Sequence, residues 1–241
     1  MIGRFKRAVR AFRQGDPWPD VDGWQREIAA KVAPYTMASF EQALATIAAV
    51  AYIHRAGVPG DFVECGVWRG GQSMAAILTL QRLGGARDIH LFDTFEGMTP
   101  PDDVDVDFTG KPASSVHQKL AVRAKGERWC EASQEEVREN IGSLGYPMER
   151  VHFWRGDVRD TIPEAAPEQV AFLRLDTDWY ESTLHELEHL YPRVPKGGVV
   201  TVDDYGHWQG ARKATDEYLG RSGAMPLLYR IDYTGRQWVK A

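Results

Sequence analysis

The segment DFVECGVWRGGQSMAAILTLQRLGGARDIHLFD, residues 61–93, decides the fold because it passes from strand to helix to strand. DFVEC predicts a short strand, GVWRGGQS a glycine-rich turn, and MAAILTLQRL a helix with apolar residues on one face. Gly84 and Gly85 end the helix, and DIHLFD predicts the second strand. A strand–helix–strand unit of this kind predicts a parallel sheet with a right-handed crossover.

The composition excludes several classes of protein. With 241 residues, 43% of them hydrophobic and 26% charged, the chain is long enough for one large domain with a sizeable core. Its net charge of −5 argues against non-specific nucleic-acid binding, which needs a basic surface. No apolar run approaches the roughly 20 residues of a membrane span, and MIGRFKRAVRAFRQG lacks the apolar region of a secretion signal. With only Cys65 and Cys130 as cysteines, we expect a cytoplasmic protein without a disulfide framework.

The chain divides into two predicted parts: an N-terminal helical arm or cap at residues 1–60, and a core at residues 61–241. Near the start, Ile2, Phe5, Val9 and Phe12 recur at helical spacing among cations. This pattern fits a helix lying on a membrane surface, but an arm that packs on the body or on a partner subunit is favoured. A second helix is predicted at residues 39–54, with a serine as its N-cap.

A long connection and several further elements follow the second strand. Residues 99–147 are too long for an ordinary connection and predict a lid, with an acidic loop and a helix capped by Ser133. Strands are predicted at VHFWRGD, AFLRLD and GGVVTVDD, and helices near residues 182–191 and 209–219. The end of the chain, PLLYRIDYTGRQWVK, predicts a hairpin.

The glycine-rich turn after the first strand favours a nucleotide-like ligand. Gly66 can make the sharp turn, Gly70 and Gly71 let a ligand approach the backbone, and the next helix offers its N-terminus to an anion. No Lys-Ser/Thr pair follows the glycines, which excludes a phosphate-binding P-loop, and the G-x-G-x-x-G pattern of NAD sites is absent. The simpler alternative is a strand–helix turn that needs glycine.

Two aspartates follow strands at the edge of the sheet where this turn lies. Asp93 is placed to accept hydrogen bonds from both hydroxyls of a ribose; alternatively it is a turn aspartate before Thr94 and Gly97. Asp157, after the third strand, is placed to accept from an adenine amino group. The ribose interpretation gains from the glycine turn, because both features lie at the edge where open parallel sheets bind ligands.

Four carboxylates follow two further strands. AFLRLDTDWY carries Asp176 and Asp178, and GGVVTVDDYG carries Asp203 and Asp204. Oxygen ligands suit Mg²⁺, Mn²⁺ or Ca²⁺, and the sequence has no Cys/His cluster for zinc. Asp176 and the 203/204 pair can clamp one ion from two strands, with Asp178 as a base. In the alternative interpretation Asp178 caps the next helix and Asp203 forms an Asx-turn.

Four motifs in this order, together with the triplet at residues 35–37, carry a family resemblance: ECGVWRGGQS, LFDTFEGM, LRLDTDWYEST and VDDYGHWQGAR. They resemble the TylF/MycF-type macrocin O-methyltransferase family over most of the chain. The resemblance implies an S-adenosylmethionine- and Mg²⁺-dependent enzyme that methylates a deoxysugar hydroxyl of a glycosylated natural product, as in antibiotic biosynthesis. It also implies a class I methyltransferase Rossmann-like fold, an α/β protein whose mostly parallel seven-stranded sheet has the order 3-2-1-4-5-7-6 and helices on both faces.

The resemblance also implies roles for individual residues. The residues that would hold the cofactor are Thr36, Met37, Glu64, Gly66, Gly70, Ser73, Asp93, Phe95 and Asp157. Those that would bind Mg²⁺ are Asp176, Asp203 and Asp204, with Asp178 as the general base. Tyr35, His207 and Trp208 are candidate substrate contacts, although single loop residues such as His207 and Trp208 more often pack locally. A homodimer or higher homo-oligomer is expected.

The expected chemistry leaves several alternatives open. A sugar hydroxyl is a poor nucleophile while protonated, so we expect Mg²⁺ on a vicinal diol to lower its pKa and Asp178 to accept the proton. A catechol or phenol is the nearest alternative acceptor. Asp-Thr-Asp also resembles the D-x-D motif of glycosyltransferases. D-x-D followed by a later Asp-Asp resembles the motifs of aspartyl phosphatases. Neither alternative explains the glycine turn with Asp93. The intact aspartate set argues against a cofactor-binding scaffold without catalysis.

Overall fold

The strand–helix–strand unit at residues 61–93 forms as predicted and lies within a seven-stranded sheet. The computed structural model describes residues 18–117 and 129–241, so the predicted helix around residues 2–12 lies outside the described part. The strands are β1 (Asp61–Cys65), β2 (Ile89–Asp93), β3 (Val151–Arg155), β4 (Val170–Leu175), β5 (Val199–Val202), β6 (Tyr229–Arg230) and β7 (Arg236–Val239). The helices are α1 (Gly23–Val32), α2 (Phe40–Arg55), α3 (Gly71–Leu83), α4 (Gln134–Gly142), α5 (Val158–Thr161), α6 (Tyr180–Leu190) and α7 (Gln209–Ser222).

The strand order is β3-β2-β1-β4-β5-β7-β6, which confirms the predicted order. Strands β1 to β5 run parallel to one another, whereas β7 pairs antiparallel with both β5 and β6. The predicted closing hairpin is therefore formed by β6 and β7. Because β1 to β5 are parallel, their carboxyl ends lie at one edge of the sheet, where open α/β sheets bind ligands.

Helices cover both faces of the sheet, as predicted, because adjacent strand residues point to opposite sides. Phe62 and Phe172 pack in a core that includes residues of α1, α2, α3 and α4. Val63 and Leu173, the next residues along the same strands, pack in a second core with residues of α5, α6 and α7. Apolar residues on both faces of β1 and β4 explain why these strands have nearly continuous hydrophobic sequences.

Several helix boundaries depart from the sequence predictions. Helix α3 begins at Gly71, inside the predicted glycine-rich turn, rather than at Met74. Two further departures each have a local reason. Helix α6 begins at Tyr180 rather than near residue 182, because the Asp105 carboxylate accepts a hydrogen bond from the Tyr180 N–H at 2.8 Å. Helix α7 continues to Ser222, past Gly220, and ends at Gly223, whose φ of 69° is the left-handed conformation that commonly ends helices. The predicted N-caps, Ser39 of α2 and Ser133 of α4, are both present.

No helix in the part of the chain that the structure describes is long and apolar enough to span a membrane.

Candidate active site

A cavity of about 510 Å³ lies at the carboxyl edge of the sheet and gathers most of the predicted site residues. It is lined from the N-terminal region, from the turn after β1, and from the ends of β2, β4 and β5. The predicted residues that line it are Tyr35, Thr36, Met37, Glu64, Gly66, Asp93, Asp157, Asp176, Asp178, Asp203, Asp204, His207 and Trp208. Residues far apart in the sequence thus meet at this edge of the sheet.

Three of the predicted cofactor residues support this cavity without lining it. Gly70 is the N-cap residue of α3, with a φ of 88°, and the apolar side chains of α4 lie against it. The Ser73 hydroxyl is buried and donates a hydrogen bond to the Glu64 carboxylate. Phe95 is buried against Phe153, with 6.1 Å between the ring centroids. Their assignment to the cofactor stays a prediction.

The glycine turn after β1 is fixed by Asp93 at the end of β2. One oxygen of the Asp93 carboxylate accepts from the backbone N–H groups of Val67 (2.6 Å) and Trp68 (3.2 Å), and the other accepts from that of Phe95 (2.7 Å). Burial raises the pKa of Asp93, and these three backbone donors act in the opposite direction. Gly66 has a φ of 81°, and a Cβ at this position would overlap the Asp176 carbonyl. The turn and the acidic segment after β4 are thus held in direct contact.

A buried arginine, Arg174 near the carboxyl end of β4, organises the charges beneath the cavity. Its guanidinium forms ion pairs with Asp176 (2.8 Å), with Asp203 and with Glu64 (3.7 Å). Burial lowers the pKa of Arg174, but the three carboxylates outweigh it and raise that pKa above its usual value. Burial raises the pKa of Glu64 to about 7, despite the opposing effects of Arg174 and Ser73. A cation is therefore enclosed among three acids that also line the cavity.

Asp176, Asp178 and Asp204 form the acidic group that faces the cavity. Each brings one carboxylate oxygen to within 4.8 Å of the other two. Burial raises the pKa of Asp178 to about 7 and the pKa values of Asp176 and Asp204 well above their usual range. The Oδ2 atom of Asp204 is buried and has no hydrogen-bond partner among the described residues. An all-oxygen set with an unsatisfied buried oxygen fits a hard divalent cation such as Mg²⁺.

The segment after β4 is shaped to present Asp178 to the cavity rather than to cap the next helix. Asp178 has a φ of 69°, an unusual conformation for a residue with a side chain. The N-cap residue of α6 is Trp179, and the cap bond comes from Asp105, so the helix-cap alternative for Asp178 is wrong. The Asx-turn alternative for Asp203 is not needed either, because its carboxylate pairs with Arg174. The metal-ligand and base assignments stay predictions.

Several residues that lie beneath the cavity or line it were not singled out in the sequence. Arg174 had a visible signal, since it is a charged residue within the otherwise apolar strand AFLRL. Trp129, Cys130, Asp232 and Tyr233 also line the cavity, but they come from a loop and a hairpin without a motif. Burial, with a smaller contribution from Asp178, Asp176 and Asp204, raises the pKa of Cys130 to about 12, which makes this thiol a poor nucleophile.

Comparison with known proteins identifies a family. Residues 18–240 match the family model described as macrocin O-methyltransferase (TylF). The chain is 39% identical over 183 residues to the 8-demethyl-8-(2,3-dimethoxy-α-L-rhamnosyl)-tetracenomycin-C 4′-O-methyltransferase of Streptomyces olivaceus, covering 76% of this chain and 66% of that protein. It is 38% identical over 185 residues to the demethyldecarbamoylnovobiocin O-methyltransferase of Streptomyces niveus, covering 75% and 66%. The match thus spans slightly less than two thirds of each of these relatives.

Solved structures agree with the family match. The O-methyltransferase NovP superposes with a TM-score of 0.73 at 33% identity, covering 86% of this chain and 82% of that one. The calicheamicin methyltransferase CalS11 superposes with a TM-score of 0.59 at 21% identity, covering 91% and 93%, which is a likeness of fold alone. The predicted α/β methyltransferase fold is confirmed.

Proposed function

The chain belongs to the macrocin O-methyltransferase family, and from that premise we propose that it transfers a methyl group from S-adenosylmethionine to a sugar hydroxyl of a glycosylated natural product. One observation carries the proposal: the glycine turn and the group Asp176, Asp178 and Asp204 open into the same cavity. A methyl donor and an acidic group for a polyol acceptor can therefore meet there. The relatives named for rhamnosyl-tetracenomycin and novobiocin substrates support the choice of acceptor class.

The cofactor's place follows from the residues around the glycine turn. Glu64 is buried near the end of β1 and lines the cavity, and we assign it to the cation of the methionine amino group. One oxygen of the Asp93 carboxylate already accepts from two backbone N–H groups, whereas the other accepts from one and keeps lone-pair capacity for a ribose hydroxyl. Thr36 is held near the turn, because its hydroxyl accepts from Gln72 at 3.3 Å. We assign Asp157 to the adenine end, as it lines the cavity beyond Asp93 in the strand order.

The acceptor's place follows from the acidic group. We assign Asp176 and Asp204 to Mg²⁺, since their carboxylates come from two neighbouring strands and approach each other closely. When bound, Mg²⁺ supplies positive charge that makes a nearby sugar hydroxyl more acidic. Asp178 accepts the proton of that hydroxyl, and its half-buried carboxyl, whose pKa burial raises to about 7, suits it to take up a proton near neutral pH. Asp203 was also predicted as a ligand; its pairing with Arg174 favours a role in orienting Asp176 through that shared cation.

A transfer assay tests the proposal. Purified protein is incubated with methyl-labelled S-adenosylmethionine and either methyl α-L-rhamnoside or catechol, with Mg²⁺ or with EDTA. We expect label on the rhamnoside only when Mg²⁺ is present. Label on catechol alone would favour the phenolic acceptor. Full activity in EDTA would contradict the proposed need for Mg²⁺. Failure to bind S-adenosylmethionine would contradict the proposed function. The predicted cytoplasmic location and homo-oligomeric state stay predictions.

The same assay tests the role of Asp178. Asp178→Asn keeps the shape of the side chain but cannot accept the proton, so kcat should fall by a factor on the order of 10² to 10⁴. The affinity for S-adenosylhomocysteine should remain nearly unchanged. Asp103→Asn, at an exposed loop position, is the matched control for a lost carboxylate. An unchanged kcat in Asp178→Asn would exclude it as the base.

A further inference from the structure

Three aromatic side chains form an exposed group at the cavity, which we call the aromatic rim: Phe108, His207 and Tyr233. The ring centroids of Phe108 and His207 are 5.6 Å apart, those of Phe108 and Tyr233 are 6.4 Å apart, and those of His207 and Tyr233 are 6.0 Å apart. His207 and Tyr233 line the cavity, and Phe108 contacts both. Phe108 is 61% exposed and Tyr233 57% exposed, unusually high values for large rings that have neighbours.

The loop that carries Phe108 is built to keep this ring in place. The Asp107 carboxylate accepts from the Thr109 N–H (2.8 Å), the Thr109 hydroxyl (2.6 Å) and the Lys111 N–H (3.0 Å), which closes a tight turn. The Asp107 carbonyl accepts from the side chain of Gln209 at 2.9 Å, which attaches the turn to the start of α7. These hydrogen bonds fix the turn, so Phe108 is held in its exposed position before any ligand binds. Less conformational entropy is therefore lost on binding.

The other two rings are connected to the acidic group. The His207 N–H donates to the carbonyl of Asp204 at 2.9 Å, so His207 follows directly from a residue of the acidic group. Tyr233 is held next to it: its hydroxyl and Nδ1 of His207 lie 3.1 Å apart, and the Gly206 N–H donates to the Thr234 carbonyl at 2.8 Å. The aromatic rim is thus continuous with the floor of the cavity where we place the sugar.

We propose that the aromatic rim binds a flat, apolar aglycone of the methyl acceptor by stacking, and so selects glycosides over free sugars. The inference rests on the proposed function and names the part of the acceptor beyond the sugar. A sugar whose hydroxyls face Asp178 and Asp204 leaves its aglycone next to His207, where the surface changes from carboxylate to aromatic. Rings favour offset or edge-to-face contact with other rings, and a polar aglycone would gain little from Phe108.

The preference for an aromatic aglycone can be measured by binding as well as by turnover. Titration calorimetry compares 2-naphthyl α-L-rhamnoside with methyl α-L-rhamnoside, each with Mg²⁺ and S-adenosylhomocysteine present, and initial rates give kcat/KM for both. We expect the wild-type protein to prefer the naphthyl glycoside by about tenfold or more in both measurements. In Phe108→Ala this ratio should fall to about one, because the remaining rings lose their outer partner.

Two further variants make the comparison specific. Phe108→Trp keeps a large ring at the tip of the turn and should restore the preference. Met225→Ala removes an exposed apolar side chain, 95% exposed and outside the cavity, and should leave the ratio as in the wild type. Because Phe108 is largely exposed, its replacement removes little packing, and an unchanged thermal transition verifies that Phe108→Ala is folded.

The possible outcomes distinguish failure of the aromatic rim proposal from failure of the proposed function. Methylation of both glycosides with the same ratio in the wild type and Phe108→Ala would overturn the aromatic rim but leave the function intact. A naphthyl preference in binding that depends on Phe108, without any methyl transfer, would support the rim and overturn the function. Absence of both binding and transfer would overturn both. An unchanged ratio with loss of a dimer in Phe108→Ala, measured by light scattering, would assign these rings to contact between copies of the chain instead.

Discussion

At the scale of single residues, Glu186 is an unusual ionisable group outside the acidic group. It lies on α6 with no exposed surface, and its Oε1 accepts from the Thr177 hydroxyl at 2.9 Å. Its Oε2 is buried without a hydrogen-bond partner in the described ranges. Burial raises the pKa of Glu186 to about 8, against an ordinary value near 4.5. Glu186 is therefore mostly protonated at neutral pH, and it holds Thr177, the residue between Asp176 and Asp178.

The raised pKa of Glu186 predicts a loss of stability as the pH rises. The unfolded chain releases this proton near pH 4.5, whereas the folded protein keeps it until about pH 8, so stability falls between these values. Glu186→Gln keeps a neutral group of the same shape and removes the penalty, which at pH 7 is on the order of 3 kcal/mol. The variant should be about as stable as the wild type at pH 4.5 and more stable at pH 8.

Urea unfolding at three pH values between 4.5 and 8 measures this difference. Glu188→Gln, an exposed residue on the same helix, is the matched control and should change the stability little at any of them. A constant difference between Glu186→Gln and the wild type across this range would contradict the assignment, because a purely structural effect of the substitution has no reason to follow the titration of Glu186.

Gly66 is the residue on which the closure of the glycine turn depends. Gly66→Ala adds a Cβ where the Asp176 carbonyl lies and places it at a φ of 81°, so the variant should lose more than about 2 kcal/mol of stability. Gly142→Ala is the matched control: it lies in α4 with open space around it and should be neutral or slightly stabilising. Thermal unfolding of both variants makes the comparison. Equal transitions for Gly66→Ala and Gly142→Ala would show that the turn tolerates a side chain.

At the scale of elements, the terminal hairpin fastens the N-terminal region over the cavity. Asp232, between β6 and β7, accepts from the hydroxyl of Ser39 at 2.6 Å and from the Gln42 side chain at 3.3 Å, both at the start of α2. Burial alone would raise the pKa of Asp232, but bonds from Ser39, Gly235 and Thr234 outweigh it and lower that pKa. The ionised Asp232 therefore stabilises the folded protein above its ordinary pKa, and this contribution is lost as the pH falls through the folded value.

Removal of this carboxylate should loosen the start of α2. Asp232→Ala leaves the Ser39 and Gln42 side chains without their acceptor, and we expect a loss of about 2 kcal/mol in urea unfolding at pH 7. Asp20→Ala, at an exposed position, is the control for a lost negative charge and should stay within about 0.5 kcal/mol of the wild type. If both variants unfold at the same urea concentration, the hairpin does not hold α2.

The elements also show what the sequence could predict. Local patterns predicted the strands, the capped helices and the sheet edge. Each strand end could be recognised from neighbouring residues alone: Gly66 after β1, Asp93 at the end of β2, and the aspartates after β4 and β5. The long-range hydrogen-bond partners could not be predicted, because each partner lies far away in the sequence. Asp105 supports Tyr180 from 75 residues away, and Asp232 bonds Ser39 across 193. Arg174 was visible as a charge in a buried strand, but only the fold shows that it pairs with Glu64, Asp176 and Asp203 at once.

At the scale of the whole molecule, the acidic group places a cost on folding that a bound cation would remove. Asp176, Asp178 and Asp204 are half-buried close together, and their raised pKa values mean that the metal-free protein loses stability as these groups ionise with rising pH. A cation that binds only the folded protein offsets this loss by mass action, and this stabilisation amounts to about 2.7 kcal/mol at a concentration of 100 times its Kd.

Mg²⁺ should therefore raise the melting temperature of the wild-type protein by about 5 to 10 °C at that saturation, given the size of the chain. Asp204→Asn should melt at a higher temperature than the wild type without metal, because it removes one of three mutually repelling carboxylates, and it should respond little to Mg²⁺. KCl at matched ionic strength controls for general screening of the net charge of −5. Equal Mg²⁺-induced shifts of the melting temperature in the two proteins would show that the ion binds elsewhere. An equal shift in KCl would show general charge screening rather than specific binding of a cation to the acidic group. Because Asp204→Asn gains stability and loses the metal response together, neither result can be mistaken for a folding defect.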